Sequence, residues 1–499
     1  MKIALVNPIS RSGQGYHTIG TRIPQLGLQV LARLALAAGH QVDIIDEIFA
    51  TIDTEKRLAE GGYDLVGVTS YTSSATRAYE VAACCRTLGI PSIMGGPHAW
   101  AVPEEPAEHF DSVAVGECDE VWPQILADAQ AGKLQNRYDG CFSELTGDRG
   151  AAAQGLHPLN GRYDVACIQT SRGCPIGCDY CSVTRFNGRE IRRRDIGKII
   201  EEWNSTDRKF IFVVDDNFYG VGPKHAEWAK ELLRAIIKHG KRKLWFSQTS
   251  LNMGDDIEGL KLAYKAGCRA MLVGIESFNP KALAGWKKGL NVKIFDRYKE
   301  HVDGFHKAGL AVFGGFVIGS DEDDENTVAD TALKAVQLGV DIIQITNMTP
   351  LPGTNLFDKL KAEGRLIATN YPKDWERYTF IETVYTPAKM TARRLDETIY
   401  ELRKAAATQH WVLKRTLKSF WWTKSLTTTL FVNGMNGAWV SLAKGQVPHD
   451  EKRLGYTIVP CERTEKIRKS FNFRSGKLEL PSVGGAAGTG SQEPGTETA

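Results

Sequence analysis

The chain has 499 residues, of which 42% are hydrophobic and 24% charged; this excludes a wholly disordered or collagen-like protein and gives room for about three structural units. Lys and Arg number 62 against 59 Asp and Glu, a net charge of +3 that argues against nucleic acid as the default partner. Ten cysteines in so long a chain make no disulfide framework, so thiols or metal ligands are expected.

The start, Met1-Lys-Ile-Ala-Leu-Val6, runs straight into a strand-like segment without the apolar stretch and cleavage site of a secretory signal. No window reaches the ~18 consecutive apolar residues that a membrane span needs, and a cytoplasmic protein is expected. Residues 1–140 alternate short apolar runs with helical stretches. Strands are expected at Ile3 to Val6, Val42 to Ile45, Leu65 to Thr69, Ser92 to Met94 and Ser112 to Val115, each followed by turn-forming residues, which predicts a Rossmann-like doubly wound α/β domain. Residues 141–164 are less patterned and read as a linker. From 165 to 356 the rhythm resumes, with strands near Ala166 to Gln169, Phe210 to Val214, Leu244 to Gln248, Ala270 to Gly274, Ala311 to Val317 and Ile342 to Thr346. Six repeats fit a βα barrel or partial barrel, whose ligands sit at the strand C-termini. Residues 357–480 are mostly helical in pattern, and 481–499 have almost nothing to bury and are expected to be disordered.

Cys174-Pro-Ile-Gly-Cys178-Asp-Tyr-Cys181 follows the first of these barrel strands and places three thiols within eight residues. Structural zinc wants four ligands, and no fourth lies at a finger-like distance. Three thiolates suit an iron–sulfur cube with one iron left open. Incidental cysteines, or a zinc site completed from afar, stay open on the residues alone.

CxxxCxxC after the first strand of a βα barrel resembles the radical S-adenosylmethionine enzymes. The resemblance implies a [4Fe-4S] cluster on Cys174, Cys178 and Cys181, whose open iron binds S-adenosylmethionine and whose electron cleaves it to a 5′-deoxyadenosyl radical. It also implies an adenine neighbour at Tyr180, an amino-group loop at Asp215, Asp216 and Asn217, a ribose or carboxylate contact at Gly274 and Glu276, and an adenine-lining strand at Gly315, Val317 and Gly319. Without the cysteines, Asp215 or Glu276 reads equally well as a solvated strand-end carboxylate.

In the first domain the Gly-x-Gly-x-x-Gly fingerprint of dinucleotide binding is missing after the first strand, where Asn7 and Pro8 stand. Small or polar strand ends at Thr69, Ser70, Tyr71, Thr72, Gly95, Gly96, Gly116 and Glu117 predict a broad, shallow cleft for a large flat ligand. Pro24-Gln-Leu-Gly-Leu28, Gly39 to Asp46, Gly95-Gly-Pro-His98 and Gly116-Glu117 resemble the cobalamin-binding domain that precedes the barrel in one radical S-adenosylmethionine subclass, and imply cobalamin contacts at these positions and at Asn7. The Asp-x-His-x-x-Gly motif that supplies an axial histidine elsewhere is absent; His98 lining a loop or capping a turn is a better reading than axial ligation. A docking module without cofactor is the bland alternative.

Between Glu401 and Asp450 there is no acidic residue, while Arg403, Lys404, Lys414, Arg415, Lys418, Lys424 and Lys444 are interleaved with Trp411, Trp421, Trp422 and Trp439. This reads equally as a basic helical cap and as a peripheral contact with the inner face of a membrane. Thr349-Pro-Leu-Pro-Gly-Thr354 resembles a stretch found in cobalamin-dependent members, including those of hopanoid and bacteriochlorophyll synthesis. Taken together, the resemblances imply a methyltransferase acting on an unactivated carbon of a lipid, pigment or other small molecule, fed by an external electron donor of flavodoxin or ferredoxin type. A radical cyclase, rearrangement or hydroxylation enzyme is the alternative within enzymes, and a non-catalytic iron–sulfur or cobalamin sensor the alternative outside them. No residue stands out as the catalytic proton acceptor.

Overall fold

Aliphatic runs separated by helix-forming stretches pair in parallel, because each helix supplies the crossover that a parallel connection needs. The computed structural model, which describes residues 1–10, 22–49, 52–145, 162–406 and 409–454, accordingly contains two six-stranded sheets, both parallel throughout.

The first comprises β1 (Lys2–Asn7), β2 (Gln41–Asp46), β3 (Leu65–Thr69), β4 (Ser92–Gly95), β5 (Ser112–Val115) and β6 (Arg137–Asp139), in the order β2-β1-β3-β4-β5-β6. The chain leaves β1 in one direction and β3 in the other, which makes the crevice beyond these two strands the topological switch point. Side chains alternate between two cores: Ala4, Val6, Val66 and Val68 pack with Tyr79 on one face, Ile3, Leu5 and Leu65 with Leu28 and Trp122 on the other. The pattern is that of a doubly wound sheet. Strand β6 has only Tyr138 buried, and so carries no apolar run to announce it.

In the second unit β7 (Ala166–Ile168) is followed by a small antiparallel ladder of β8 (Ser171–Arg172) and β9 (Arg192–Arg193), which closes the base of the cysteine-bearing loop. Then come β10 (Phe210–Val213), β11 (Leu244–Thr249), β12 (Cys268–Glu276), β13 (Ala311–Ile318) and β14 (Ile342–Asn347). Their order is sequential from β7 to β14, and these two end strands do not pair with each other, so the arrangement is a partial barrel. Met271 and Val273 point into a core with the covering helices, whereas Ala270 and Leu272 point the other way. Onto that inner face the helix Leu426–Leu454 lays Phe431, Val432, Met435 and Trp439.

The stretch after β14 is helical at Asn355–Ala362, Ala392–Ala406, Gln409–Thr423 and Leu426–Leu454, but residues 364–391 are largely irregular. Pro372 and Pro387 break helical continuity there. This strap returns to the first unit, where Ala368, Trp375, Tyr378 and Val384 complete the core around Tyr79 and Ala99. The expected linker is described only at its ends, where Tyr163 Oη donates to Asp46 (2.8 Å) and Ser143 meets Glu117. The tail at 481–499 lies outside the described residues.

Candidate functional site

The cysteine loop is built by short-range constraints. Cys174 N donates to Gly188 O and Cys181 N to Cys178 O (3.1 and 3.2 Å), while Asp179 takes Trp286 O through its own N–H and gives its carbonyl to Leu356 N. The Asp179 carboxylate also accepts from Lys287 Nζ (3.1 Å) and Asn355 Nδ2 (2.9 Å). The loop is therefore held from the far side by the Leu-Pro-Gly-Thr-Asn turn after β14. Cys178 is buried, Cys174 and Cys181 are half-buried, and none is in a disulfide. Burial pushes all three thiols up, Cys181 to about 12. Among the described residues no group of three His, Cys, Asp or Glu side chains stands close enough to hold a metal ion; three thiols are the number that an iron–sulfur cube with an open iron takes from its protein.

Beside the thiols lies a buried pair that the sequence did not reveal. Lys288 Nζ donates to Glu276 Oε1 at 2.7 Å. Burial alone would lower the ammonium pKa, but Glu276 and Cys178 outweigh it and hold the group charged. Glu276 ends β12 in the left-handed region (φ +69°), a costly conformation for a residue with a Cβ. A β-carbon at Gly274 would stand 2.3 Å from Glu276 Oε1 and 3.0 Å from Lys288 Nζ, so glycine there leaves room for the pair. Tyr180, whose ionisation is opposed first by burial and then by Glu276, packs edge-on to Trp286 at 5.4 Å and joins a cluster with Val317, Met348 and Tyr385. Gly315 lies beside Gly274 in the sheet, and Gly319 O accepts from Tyr385 Oη. These residues share one end of the barrel with the cysteine loop.

The acidic loop after β10 is spent differently from expectation. Asp215 is fully buried and accepts from Thr170 N (2.6 Å), Thr170 Oγ1, Ser171 N (3.1 Å) and Ser171 Oγ (2.9 Å); burial raises its pKa, opposed by these bonds. Its oxygens are saturated by the turn before the cysteines, so it shapes that turn and is not available to a ligand. Asp216, raised by burial to about 6, accepts from Gly173 N and Asn187 Nδ2. Asn217 bridges Gly220 and Ser250.

In the first unit Thr69, Ser70, Tyr71, Thr72, Gly95, Gly96 and Gly116 do lie together at the strand C-termini. Gly96 has φ +91°, and a β-carbon there would sit 2.6 Å from Thr69 Oγ1 and 3.0 Å from Ser70 N, so only glycine lets β3 and β4 end so close together. Tyr71 is exposed. Three other expected contacts turn inward. The Asn7 amide donates to Asp46 (2.7 Å). His98 is fully buried, with Nε2 3.1 Å from Tyr79 Oη and 3.4 Å from Glu105, and its ring sits edge-on to Trp375 of the returning strap. Sealed in this way it faces the strap, which is at odds with both a cofactor contact and axial ligation.

Glu117 likewise serves the interface between the units. It accepts from Arg172 Nη1 (3.0 Å) and from Arg192, while Asp119 receives a two-pronged contact from Arg172 at 2.9 and 3.0 Å. Arg172 lies two residues before Cys174 and Arg192 on its paired strand β9, so the end of β5 is ion-paired to the base of the cysteine loop. Trp100 adds an apolar joint, edge-on to Phe186 at 5.9 Å and 3.0 Å from where a β-carbon at Gly353 would be.

The sequence model of the B12 binding domain matches residues 16–126 and that of the radical SAM superfamily residues 168–332. The chain is 28% identical over 414 residues to bacteriochlorophyllide d C-8(2)-methyltransferase of Chlorobaculum tepidum, covering 79% of this chain and 84% of that protein. With bacteriochlorophyllide d C-12(1)-methyltransferase of the same organism it shares 28% over 423 residues, covering 83% and 89%. The solved structure of the radical S-adenosylmethionine methyltransferase TsrM from Kitasatospora setae, with cobalamin and a [4Fe-4S] cluster bound, has the same fold, with a TM-score of 0.60 at 20% identity over 72% of this chain and 78% of that one. With a B12-binding unit at the amino end, joined by ion pairs to the cysteine-bearing loop of a radical SAM unit, this chain has the two-domain organisation of the cobalamin-dependent radical S-adenosylmethionine enzymes.

Proposed function

We propose that the protein is a C-methyltransferase that acts on an unactivated carbon of a lipid or pigment intermediate, with Cys174, Cys178 and Cys181 as the cluster ligands. The observation that carries this reading is the direct joint between the two units: the end of β5 contacts the residues leading into the cysteine loop, as chemistry shared by two cofactors requires. The curated relatives that match over most of the chain and carry the name of bacteriochlorophyllide methyltransferases support it. When bound, the cluster with S-adenosylmethionine supplies a hydrogen-abstracting radical and cobalamin supplies the methyl group; the protein's part is to bind, orient and exclude water.

In this reading Lys288 offers a buried positive charge to a carboxylate or to the thiolates, with Glu276 fixing its position. Tyr180 and Val317 give an apolar wall for an adenine, and Gly315 and Gly319 bring backbone close to it. Thr69 to Thr72, Gly95, Gly96 and Gly116 form the floor for the corrin. An external flavodoxin- or ferredoxin-type protein supplies electrons.

The test is anaerobic reconstitution with iron, sulfide and cobalamin, followed by S-adenosylmethionine, a reductant and a candidate pigment or lipid acceptor. Acceptor-dependent rise of both 5′-deoxyadenosine and S-adenosylhomocysteine is expected, and the Cys174→Ala/Cys178→Ala/Cys181→Ala variant should lose the iron–sulfur absorbance and both products. Deoxyadenosine formed without S-adenosylhomocysteine at full acceptor conversion would refute methyl transfer, and turnover surviving in the triple variant would refute the ligand assignment.

A further inference from the structure

The helices Gln409–Thr423 and Leu426–Leu454 form a hairpin on the barrel unit, with Thr416 Oγ1 3.2 Å from Asn433 Oδ1 between them. The first helix buries Trp411, Arg415 and Ser419 at four-residue spacing. Trp422 stacks on His306 at 4.9 Å, and Trp439 meets Phe313 edge-on. Burial lowers the Arg415 pKa to about 10, and its guanidinium donates to Asp341 O. Three of the four tryptophans that mark this region in the sequence are therefore structural.

A helix packed along one stripe ordinarily gives its opposite stripe to polar residues. Here the opposite stripe is Leu413, Leu417, Phe420 and Trp421, whose three- and four-residue spacing puts them on one line. Across the turn at Lys424 it continues into Leu426 and Leu430. All six are exposed, Trp421 by 72%, Leu426 by 64% and Leu417 by 62%, at a solvent-facing corner where folding has no use for them. The surroundings are basic. Lys414 and Lys418 share the helix, Lys424 Nζ lies 3.9 Å over the Trp421 ring, Arg269 reaches the same corner through Thr427, and no acidic residue occurs between 402 and 449.

We infer that this hairpin corner docks on the surface of an anionic lipid bilayer, with the leucines, Phe420 and Trp421 entering the interfacial layer and the lysines meeting the headgroups. Aliphatic side chains, an exposed indole and flanking cations without acid are the combination that an interface of this kind favours. Contact is peripheral: among the described residues no helix is long and apolar enough to cross a membrane. The inference rests on none of the cofactor assignments, and its readout involves no chemistry.

Full-length protein is floated with vesicles of phosphatidylcholine alone or mixed with phosphatidylglycerol, at low and high salt. Co-flotation with the anionic vesicles at low salt, weakened by salt and by neutral lipid, is the expected result. Leu417→Ser/Trp421→Ser should reduce binding at least ~10-fold. Lys424→Gln should weaken it about fivefold, the factor given by ~1 kcal/mol per basic residue near an anionic surface. Both act on exposed side chains, so an unchanged thermal melt is the control for folding. Failure of the parent protein to float with anionic vesicles at low salt overturns the inference, as does equal flotation of parent and Leu417→Ser/Trp421→Ser. A parent dimer that the double substitution converts to monomer, without vesicle binding, would assign the face to a second copy of the chain instead.

Discussion

Replacing Arg172 by Gln tests whether the two units are coupled through the base of the cysteine loop. The substitution keeps one amide donor, on a shorter side chain, and removes the charge and the fork that holds both Asp119 oxygens. Glu117 retains Arg192, so the cost falls on Asp119, which is left buried without its hydrogen-bonded counter-ion. Breaking one side of a buried pair costs about 3–5 kcal/mol, and with Arg192 still nearby the lower end, ~3 kcal/mol, is expected. The pH dependence has a definite sign. In the parent, burial pushes the Asp119 carboxyl up, but Arg172 more than reverses this and leaves its pKa below the ordinary value. Its stabilisation is therefore present above the unfolded value and lost as pH falls through the folded one. In Arg172→Gln the balance tips to burial, the folded value rises, and the penalty present at neutral pH is relieved on acidification. Urea unfolding at pH 7.5 and pH 5 should show the gap between variant and parent closing at the lower pH. A double-mutant cycle with Asp119→Asn should return a coupling energy above ~1.5 kcal/mol. Coupling below ~0.5 kcal/mol, or a gap that widens on acidification, would refute the reasoning.

Asp46 offers the opposite case. Burial raises its pKa although Asn7, Ile48 N and Tyr163 all donate to it, so its ionised form is a burden at neutral pH. Asp46→Asn should match or exceed the parent in stability at pH 8 and lose that advantage as pH falls toward the carboxylate range, which thermal melts across pH will check. Gly96→Ala places a β-carbon 2.6 Å from Thr69 Oγ1 at φ +91°. It should cost ~1–3 kcal/mol and reduce cobalamin retained after gel filtration, while cluster absorbance stays at the parent level.

The strands were legible because apolar runs between turn residues have few other uses. Leu65 to Thr69 and Ser112 to Val115 are observed with the expected bounds, and most of the rest differ by one or two residues at their ends. The three-residue β6 escaped notice because Arg137 and Asp139 are exposed. Site side chains were less legible, since a strand-end carboxylate has the same local sequence whether it meets a ligand or an arginine. Nothing around Glu117 points to Arg172 and Arg192, which are distant in sequence, and nothing around Asp215 points to the backbone of Thr170 and Ser171. Lys288 escaped because its partner Glu276 lies on β12, and nothing in the local sequence joins the two. In the carboxyl-terminal hairpin the conspicuous tryptophans were mostly interior; the informative residues were leucines, which become unusual only once the helix face is known.

The returning strap bears on how the polypeptide is made. Trp375, Tyr378 and Val384 belong to the core of the amino-terminal unit, so that unit emerges from the ribosome with part of its interior not yet synthesised. At ~5–20 residues per second the first sheet waits, uncovered on one side, for a time of the order of tens of seconds until the barrel strands and the strap have followed. During that interval the apolar surface around Tyr79 and Ala99 is available to chaperones. The amino-terminal unit expressed alone meets the same exposure permanently.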